Sequence, residues 1–261
     1  MNERTGGRIR RVVMGLLLGG IFAGVSGCAA SGGGSDVGGA AKSTQTEVSG
    51  TFSIVAADPQ AGICGVAVAS RYPAVGKVVP YVRAGVGAFC TQHWHEPKWG
   101  LRALDLLAVG MSPQAVLAEL VKDDPQWDMR QLAIIDAAGR TAQQNPARAD
   151  GPSLWWGSAA GRYYACQGNT LAGRKVVAAM ARAYEQTQGS LADRLIAALA
   201  AGDEAGGDHR GRLAAGIRVA RAGVQGDWLA LYVDESADAV ADLVRVYQEL
   251  EHEAKGLAKT E

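Results

Sequence analysis

The sequence of 261 residues lacks an excess of charge of either sign. Lysine and arginine together number 26, as do aspartate and glutamate, so the formal net charge at neutral pH is zero. Beyond residue 50 there are 21 basic and 23 acidic residues, a net charge of −2. Because nucleic-acid binding needs clustered positive charge, the composition favours no nucleic-acid partner.

The common signatures of nucleotide-binding and serine-hydrolase sites are also missing. The chain has no Gly-x-Ser-x-Gly nucleophile elbow, no phosphate-binding P-loop and no complete Gly-x-Gly-x-x-Gly motif. These absences disfavour both classes of protein, and no cofactor is indicated.

Cysteine is scarce, with four residues in the whole chain. Cys64, Cys90 and Cys166 lie in apolar, strand-like runs, and three cysteines cannot all pair with one another. Buried free thiols are therefore expected, although an oxidising compartment would allow one disulfide.

The amino terminus has the pattern of an export signal. Four arginines precede an apolar run over residues 12–25, which is shorter than the about 20 residues needed to span a bilayer. The stretch 25–28, Val-Ser-Gly-Cys, resembles a lipobox, so we expect cleavage before Cys28 and a diacylglyceryl group on its thiol. An ordinary secretory cut is the alternative. Residues 1–28 thus predict a protein lipid-anchored to the cell envelope, on its periplasmic or outer-surface side.

Residues 29–50 are mainly glycine, alanine, serine and threonine. Such a segment cannot bury enough apolar surface to fold alone, so we expect a flexible tether. Folded-domain patterning begins at Thr51, and residues 51–261 are long enough for one domain with a substantial core.

The junction between Gly50 and Thr51 is suited to an autoprocessed nucleophile. The Thr51 hydroxyl could attack the Gly50 carbonyl, cut the chain, and leave Thr51 with a free α-amine. With a pKa of about 8, that amine could serve as the base that activates the hydroxyl. Gly50 tolerates the strained backbone that such a step requires. The plainer alternative is a linker that ends where a strand begins.

Runs with strand character alternate with pairs of helices, which predicts a layered α+β fold rather than βαβ units. The predicted strands lie at 51–57, 63–70, 78–83, 86–92, 130–136, 140–144, 163–168, 213–221 and 228–233. The predicted helices lie at 97–110, from 112 onward, at 172–188, at 190–201 and from 238 onward.

Polar residues at predicted strand ends are the candidates for a substrate site. Ser70 and Arg71 end the strand that pairs with the Thr51 strand. Arg71 could reach the Thr51 amine or an anionic substrate, or could be an ordinary solvated arginine at a strand end. Thr91 and Gln92 close another strand and suggest the edge of a cleft. Ser53 shares a strand face with Thr51 through the two-residue period.

Two further groups of residues lie in glycine-rich loops. Asn169, after Gly168, could donate its side-chain amide to an oxyanion, or could cap the helix that follows. Gly168 would let the backbone approach the substrate. Asp208 and Arg210 could clamp an amine or a carboxylate of the substrate, or could form an ordinary surface salt bridge.

His93 and His95 form a rival constellation. If the strand continues through them, they share a face and could bind one metal ion. No third histidine has a matching spacing, so two polar loop histidines beside a packed Trp94 are the plainer interpretation, and no metal is predicted.

Several of these stretches together resemble the bacterial DUF1028 family, which is placed with the N-terminal nucleophile (Ntn) hydrolases. They are residues 51–56, 65–71, 78–87, 91–92, 167–173 and 206–211. The resemblance implies an αββα sandwich of two antiparallel sheets and an amide or peptide-bond hydrolase, with a small-molecule or peptide-like amide as substrate. It leaves open a homo-oligomer. The chain departs from the family pattern at 93–96 and at Leu213-Ala214.

Three hypotheses follow from the sequence. The first is an exported, membrane-tethered precursor of an Ntn-type amidohydrolase with Thr51 as nucleophile. The second is a non-catalytic envelope lipoprotein that uses the same scaffold for ligand binding or assembly. The third is a metal-dependent hydrolase that uses His93 and His95.

Overall fold

The structure, a computed structural model, describes residues 9–12, 46–48, 50–147 and 155–257. Within these ranges the strands β1 to β12 are Ile9–Val12, Thr46–Val48, Thr51–Asp58, Ile63–Ser70, Pro80–Arg83, Gly87–His95, Arg130–Asp136, Thr141–Gln144, Gly157–Gly161, Tyr164–Gly168, Ala214–Arg221 and Leu229–Val233. The helices α1 to α6 are Val75–Val78, Lys98–Ala108, Pro113–Val121, Lys175–Gln186, Leu191–Glu204 and Ala239–Leu257.

The strands form two antiparallel sheets. Sheet I has the order β1-β12-β11-β4-β3-β10-β9, with the β3–β4 hairpin at its centre. Sheet II has the order β2-β6-β7-β8, and β5 also pairs with β6. Thr51 is the first residue of β3, directly opposite Ser70 at the end of β4.

Three apolar layers hold the elements together, which confirms the predicted αββα sandwich. Side chains of α4, α5 and α6 pack on the outer face of sheet I. Those of α2 and α3 pack on the outer face of sheet II. The third layer lies between the two sheets.

Strand alternation explains which side chains enter each layer. On β3, Phe52, Ile54 and Ala56 pack against the helices, whereas Val55 and Ala57 point toward sheet II. Because successive strand residues face opposite ways, Thr51 and Ser53 belong with Val55 on the inner side. The nucleophile candidate therefore lies between the sheets.

Element boundaries differ from the sequence-based prediction in several places. β6 continues to His95 rather than ending at residue 92. β9, with the sequence Gly-Ser-Ala-Ala-Gly, was not predicted, because it has none of the β-branched or aromatic residues typical of strands. β1 falls within the predicted signal peptide, where it pairs with β12, and β2 falls within the predicted tether. Across the described ranges, no helix combines the length and the apolar character that crossing a membrane requires.

Candidate active site

The layer between the sheets changes from apolar to polar along β3, where Val55 is followed toward the amino end by Ser53 and Thr51. Four neighbouring strands change in the same way, from Val68 to Ser70 on β4, Cys90 to Gln92 on β6, Ala133 to Gln131 on β7, and Ala165 to Gln167 on β10. We call the two parts the apolar half (Val55, Val66, Val68, Cys90, Ala133, Ile135 and Ala165) and the polar half (Thr51, Ser53, Ser70, Gln92, Gln131, Gln167 and Asn169). Every residue of both halves is buried.

Two hydrogen bonds between hydroxyl and carbonyl groups connect the Thr51 side chain with the peptide bond that precedes it. The Thr51 hydroxyl donates to Ser70 Oγ over 3.0 Å, and the Ser70 hydroxyl donates to the Gly50 carbonyl oxygen over 3.0 Å. The Tyr72 N–H donates to Ser70 Oγ over 2.9 Å and fixes its position. Ser70 thus contacts both the nucleophile candidate and the bond that it would cut.

Gly50 is held on both sides of its Cα atom. Its N–H donates to Asn169 Oδ1 over 2.7 Å, and its carbonyl oxygen also accepts the Arg71 N–H over 3.4 Å. Its φ of 79° lies in the left-handed region that favours glycine. A Cβ atom there would lie 1.7 Å from Arg210 Nη2 and 1.9 Å from Asp208 Oδ2. Both the conformation and the space therefore require glycine.

The side chain of Asn169 orients the junction in the continuous chain. Its backbone N–H donates to the Thr51 carbonyl over 2.9 Å, and its Nδ2 donates to Gln131 Oε1 over 2.9 Å. The Gly50 carbonyl receives its hydrogen bonds from Ser70 and Arg71 instead. The predicted alternative, that Asn169 caps the following helix, is wrong, because α4 begins six residues later, at Lys175, and its N-cap residue is Arg174.

Gln131 connects the polar half across the two sheets. Its Oε1 accepts from Gln92 Nε2 over 2.8 Å as well as from Asn169, and its Nε2 donates to the Gly168 carbonyl over 2.9 Å. Gln92 also accepts from the Ser53 hydroxyl over 2.7 Å and donates to the Thr51 carbonyl over 3.3 Å. The sequence analysis missed Gln131, although its two-residue spacing from Ala133 and Ile135 marks it as inward-facing.

Gln167 is the second polar residue that the sequence analysis missed. It is fully buried on β10, opposite Ser53 in the sheet register. Among the described residues, neither its amide nitrogen nor its amide oxygen has a hydrogen-bond partner. Its spacing of two from Ala165 was the available signal for an inward-facing side chain.

Asp208 and Arg210 lie against Gly50, and thus at the predicted site. Asp208 is 1 % exposed and pairs with Leu171 in an isolated β-bridge. Arg210 Nη2 lies 3.1 Å from Asp208 Oδ2. The Arg71 guanidinium donates to the Arg210 carbonyl over 2.7 Å, so that side chain is tied to the same loop.

Thr91 and Gly168, two predicted substrate-binding residues, make structural contacts of their own. Thr91 follows the inner residue Cys90 and precedes the inner residue Gln92, so it faces away from Thr51. Its hydroxyl accepts the Glu96 N–H over 3.3 Å. At Gly168, a Cβ atom would lie 2.6 Å from the side chain of Leu171, so the missing side chain makes room for packing.

The two histidines are buried strand residues rather than polar loop residues. His93 has a φ of 65°, and its Nδ1 lies 2.7 Å from the Met129 carbonyl oxygen. His95 lies near the backbone of Val78, and among the described residues neither of its ring nitrogens has a well-formed hydrogen bond. Burial lowers its pKa to about 4. Over the described ranges, no three histidine, cysteine, aspartate or glutamate side chains converge as metal ligands.

The three cysteines in the described part of the chain are buried and form no disulfide with one another. Burial raises the pKa of Cys64 to about 11 and that of Cys90 to about 12, and it also raises the pKa of Cys166. These thiols therefore remain protonated at neutral pH and are poor nucleophiles. The hydroxyl of Thr51 is the better candidate.

Access to Thr51 is closed in the continuous chain, where its exposed fraction is 0 %. A surface cleft of about 460 Å³ is lined by residues that include Asp58, Tyr163 and Arg194. Asp58 lies at the opposite end of β3 from Thr51, so this cleft does not reach the polar half.

Comparison with known proteins identifies the family and agrees with the fold. The sequence matches the model of the family of unknown function DUF1028 over residues 51–243, a match that starts at Thr51. The crystal structure of protein SPO2555 from Silicibacter pomeroyi, described as DUF1028, is similar, with a TM-score of 0.68 and 27% sequence identity. The similarity covers 76% of this chain and 88% of that one. No curated protein matches the sequence.

Proposed function

The chain belongs to the DUF1028 family, and on that premise we propose that it is the precursor of an Ntn-type amidohydrolase. Its nucleophile is Thr51, which becomes the amino-terminal residue when the chain cuts itself after Gly50. The observation that carries the proposal is the hydroxyl relay from Thr51 through Ser70 to the Gly50 carbonyl. The substrate is an amide or a peptide-like molecule.

The cutting step uses groups that already lie at the junction. The Thr51 hydroxyl oxygen bonds to the Gly50 carbonyl carbon, and the bond from that carbon to the Thr51 nitrogen breaks. The proton that the hydroxyl gives up goes to the nitrogen, which becomes the α-amine. Water then hydrolyses the ester, which releases Gly50 as a carboxylate and restores the Thr51 hydroxyl. The Ser70 hydroxyl and the Arg71 N–H stabilise the negative charge that develops on the Gly50 oxygen.

The same residues serve the mature enzyme. With a pKa of about 8, the free α-amine accepts the hydroxyl proton as the oxygen attacks a substrate carbonyl. Asn169 Oδ1, which accepts the Gly50 N–H in the continuous chain, is then available to a substrate N–H. Asn169 remains a candidate oxyanion donor if its Nδ2 turns away from Gln131.

The distribution of polar residues supports a functional site. A buried polar group costs free energy unless it is hydrogen-bonded, and an apolar layer would serve the fold at least as well. The family match starts at Thr51, so the shared domain begins at the residue that the mechanism requires.

Export and anchoring remain part of the proposal. Cys28, the predicted lipid attachment site, lies outside the described residues. Cleavage before Cys28 would remove β1 and leave β12 as the edge strand of sheet I. A cut after Gly50 would separate the lipid from the domain, so anchoring and Thr51 catalysis are alternatives for one molecule.

A second candidate function, a non-catalytic envelope lipoprotein, is favoured by one observation. The Thr51 side chain is fully buried in the continuous chain. If the chain remains intact, the polar half is sealed, and the domain can act only through its surface.

Intact mass and amino-terminal sequencing of the purified full chain distinguish the two candidates. We expect a chain that begins at Thr51, no cut in Thr51→Ala, and a retained cut in Thr51→Ser. Thr91→Ala is the matched control, since it removes a buried hydroxyl outside the polar half, and it should be cut normally. An uncut wild-type chain that begins at an acylated Cys28 would contradict the hydrolase proposal and support the second candidate.

A further inference from the structure

The outer edge of β6 is shared between two strands. β5 pairs with Gly87–Cys90, and β2 pairs with His93–His95 in antiparallel register, with Val48 opposite His93. β7 occupies the other edge. In the part of the chain that the structure describes, β2 is therefore the strand that covers residues 93–95, and it leads directly to Gly50.

From this pairing we propose that residues 46–48 and Gly50 occupy the acyl side of the substrate site. The inference rests on the proposed function: once the chain is cut and this segment departs, the edge of β6 at residues 93–95 becomes available. The substrate is then an extended peptide-like chain that pairs antiparallel with this edge. Its last acyl residue, in the place of Gly50, is glycine.

Strand addition explains how such a substrate is recognised. Main-chain hydrogen bonds to a sheet edge give affinity without requiring particular side chains. The segment 46–48 already makes this pairing within the chain, and its antiparallel register fixes the direction of an incoming substrate. The carbonyl of Gly50, two residues after this strand segment, lies beside Thr51 and Ser70.

The requirement for glycine comes from the loop that covers Gly50. A Cβ atom would lie 1.9 Å from the carboxylate oxygen of Asp208, which is 1 % exposed, paired with Arg210 and fixed by a β-bridge to Leu171. Arg210 could move its side chain, but Asp208 has little freedom to do so. Any residue larger than glycine would therefore displace the scissile carbonyl from Ser70.

The backbone of the acyl residue is recognised at both of its polar groups. In the continuous chain, Asn169 Oδ1 accepts the Gly50 N–H, and Ser70 with the Arg71 N–H donates to the Gly50 oxygen. A glycyl amide offers the same donor and acceptor. Lactams and simple acyl-amides have no amide N–H on the acyl side of the scissile bond, so they offer only the carbonyl acceptor.

The covalent step is hydrolysis with water as the co-reactant. Thr51 Oγ bonds to the glycyl carbonyl carbon while the Thr51 α-amine accepts the hydroxyl proton. The carbon–nitrogen bond of the substrate then breaks, and the α-amine passes that proton to the leaving amine. Water then cleaves the ester, which yields a carboxylate on glycine and restores the Thr51 hydroxyl.

Three fluorogenic coumarylamides test the proposal on the self-cut full chain after dialysis to remove the released segment. The first is acetyl-Glu-Val-Ser-Gly-coumarylamide, which copies residues 47–50. The second replaces glycine by alanine, and the third is acetyl-Gly-coumarylamide, which lacks the strand. Uncut Thr51→Ala protein serves as the control for background hydrolysis.

We expect kcat/KM for the alanine peptide to be about 100-fold lower than for the glycine peptide, because a displacement of the reacting carbonyl by about 1 Å can cost that much in rate. For the short glycyl amide, kcat/KM should be about tenfold lower, because one or two main-chain hydrogen bonds of ~1 kcal/mol each are lost. The free acid Thr-Glu-Val-Ser-Gly should inhibit competitively, and its alanine counterpart should not.

The possible failures separate the inference from the proposed function. Equal turnover of the glycyl and alanyl peptides that depends on Thr51 would overturn the glycine requirement and leave the hydrolase standing. Hydrolysis of lactams or γ-glutamyl amides but of none of the peptides would overturn the inference in the same way. A chain that is never cut and hydrolyses nothing would overturn both.

Discussion

The apolar half and the polar half of the inter-sheet layer are built from the same strands with opposite chemistry. In the apolar half, aliphatic side chains such as Val68 and Ile135 fill the space between the sheets. In the polar half, the same strands present hydroxyl and amide groups that hydrogen-bond across the gap. Apolar side chains along the whole inter-sheet layer would be enough for the fold. The polar composition at one end of that layer therefore calls for an explanation other than stability.

The apolar half and the polar half differ in how much they contribute to the stability of the domain. Burial of apolar side chains stabilises the domain by about 25 cal/mol for each Å² removed from water. Buried amides and hydroxyls contribute far less, because their hydrogen bonds replace bonds to water. We therefore expect substitutions in the apolar half to change stability and to leave cutting intact. Substitutions in the polar half should change cutting, and they should also lower stability where they leave a buried polar partner without its hydrogen bond.

The largest expected effect is in the apolar half. Ile135→Ala should lower the free energy of unfolding by about 4 kcal/mol, because it leaves a cavity in a fully buried position. Urea unfolding measures the loss, with Val109→Ala on the exposed end of α2 as the control. Folded Ile135→Ala protein should still cut after Gly50. A loss below about 1 kcal/mol would contradict the role assigned to the apolar half.

Lowering the pH should reduce the free energy of unfolding through His95, which is buried on β6 close to the polar half. Burial lowers the pKa of His95 to about 4 from 6.5, so the unfolded chain binds the proton first as pH falls. The stability tied to neutral His95 is thus complete above pH 6.5 and lost toward pH 4. The shift corresponds to roughly 3 kcal/mol. Urea unfolding of wild type and His95→Gln between these pH values should show a shallower decline in the variant. Parallel curves would contradict this assignment.

Ser70→Ala should slow the cut after Gly50 about 100-fold, because removal of one donor to a developing oxyanion commonly costs that much. The rate is followed by the intact mass of freshly purified protein over time. Ser158→Ala, which removes a hydroxyl that accepts from Asn145 outside the Thr51 relay, should cut at the wild-type rate. Equal rates in Ser70→Ala and Ser158→Ala would show that the relay is not used.

Gln131→Leu should lower the free energy of unfolding by about 2 kcal/mol, because it leaves the amides of Gln92 and Asn169 buried without their acceptor. Gln144→Leu is the matched control, since its amide only donates to the carbonyl of Trp127 at a more exposed position. A Gln131→Leu protein that is as stable as the wild type would contradict the role assigned to this hydrogen-bond network.

Much of the fold could be predicted from the sequence, since strand and helix periods are local signals. The boundaries of β4 and β7 agree with prediction, because their apolar runs end at polar or turn residues. β9 was missed because pairing with β10, rather than its own residues, makes it a strand. The continuation of β6 through His93 and His95 likewise depends on partners, β7 and β2.

Only part of the site could be predicted. Thr51, Ser70 and Gln92 were identified by their positions at strand ends, and the structure brings them together. Thr91 was included because strand alternation was not applied to it. Gln131 was missed because its role depends on contacts with Asn169 and Gly168 from the other sheet, which no local pattern encodes.

The free amino-alcohol of Thr51 is the property on which the account rests, and periodate oxidation tests it most directly. Periodate breaks the bond between the amine-bearing and hydroxyl-bearing carbons of an amino-terminal threonine and leaves an aldehyde. We predict that the purified wild-type chain acquires one aldehyde, at residue 51, that reacts with a hydrazide probe, and that Thr51→Ala acquires none. A wild-type protein that forms no aldehyde and keeps its peptide bond between Gly50 and Thr51 would contradict the account.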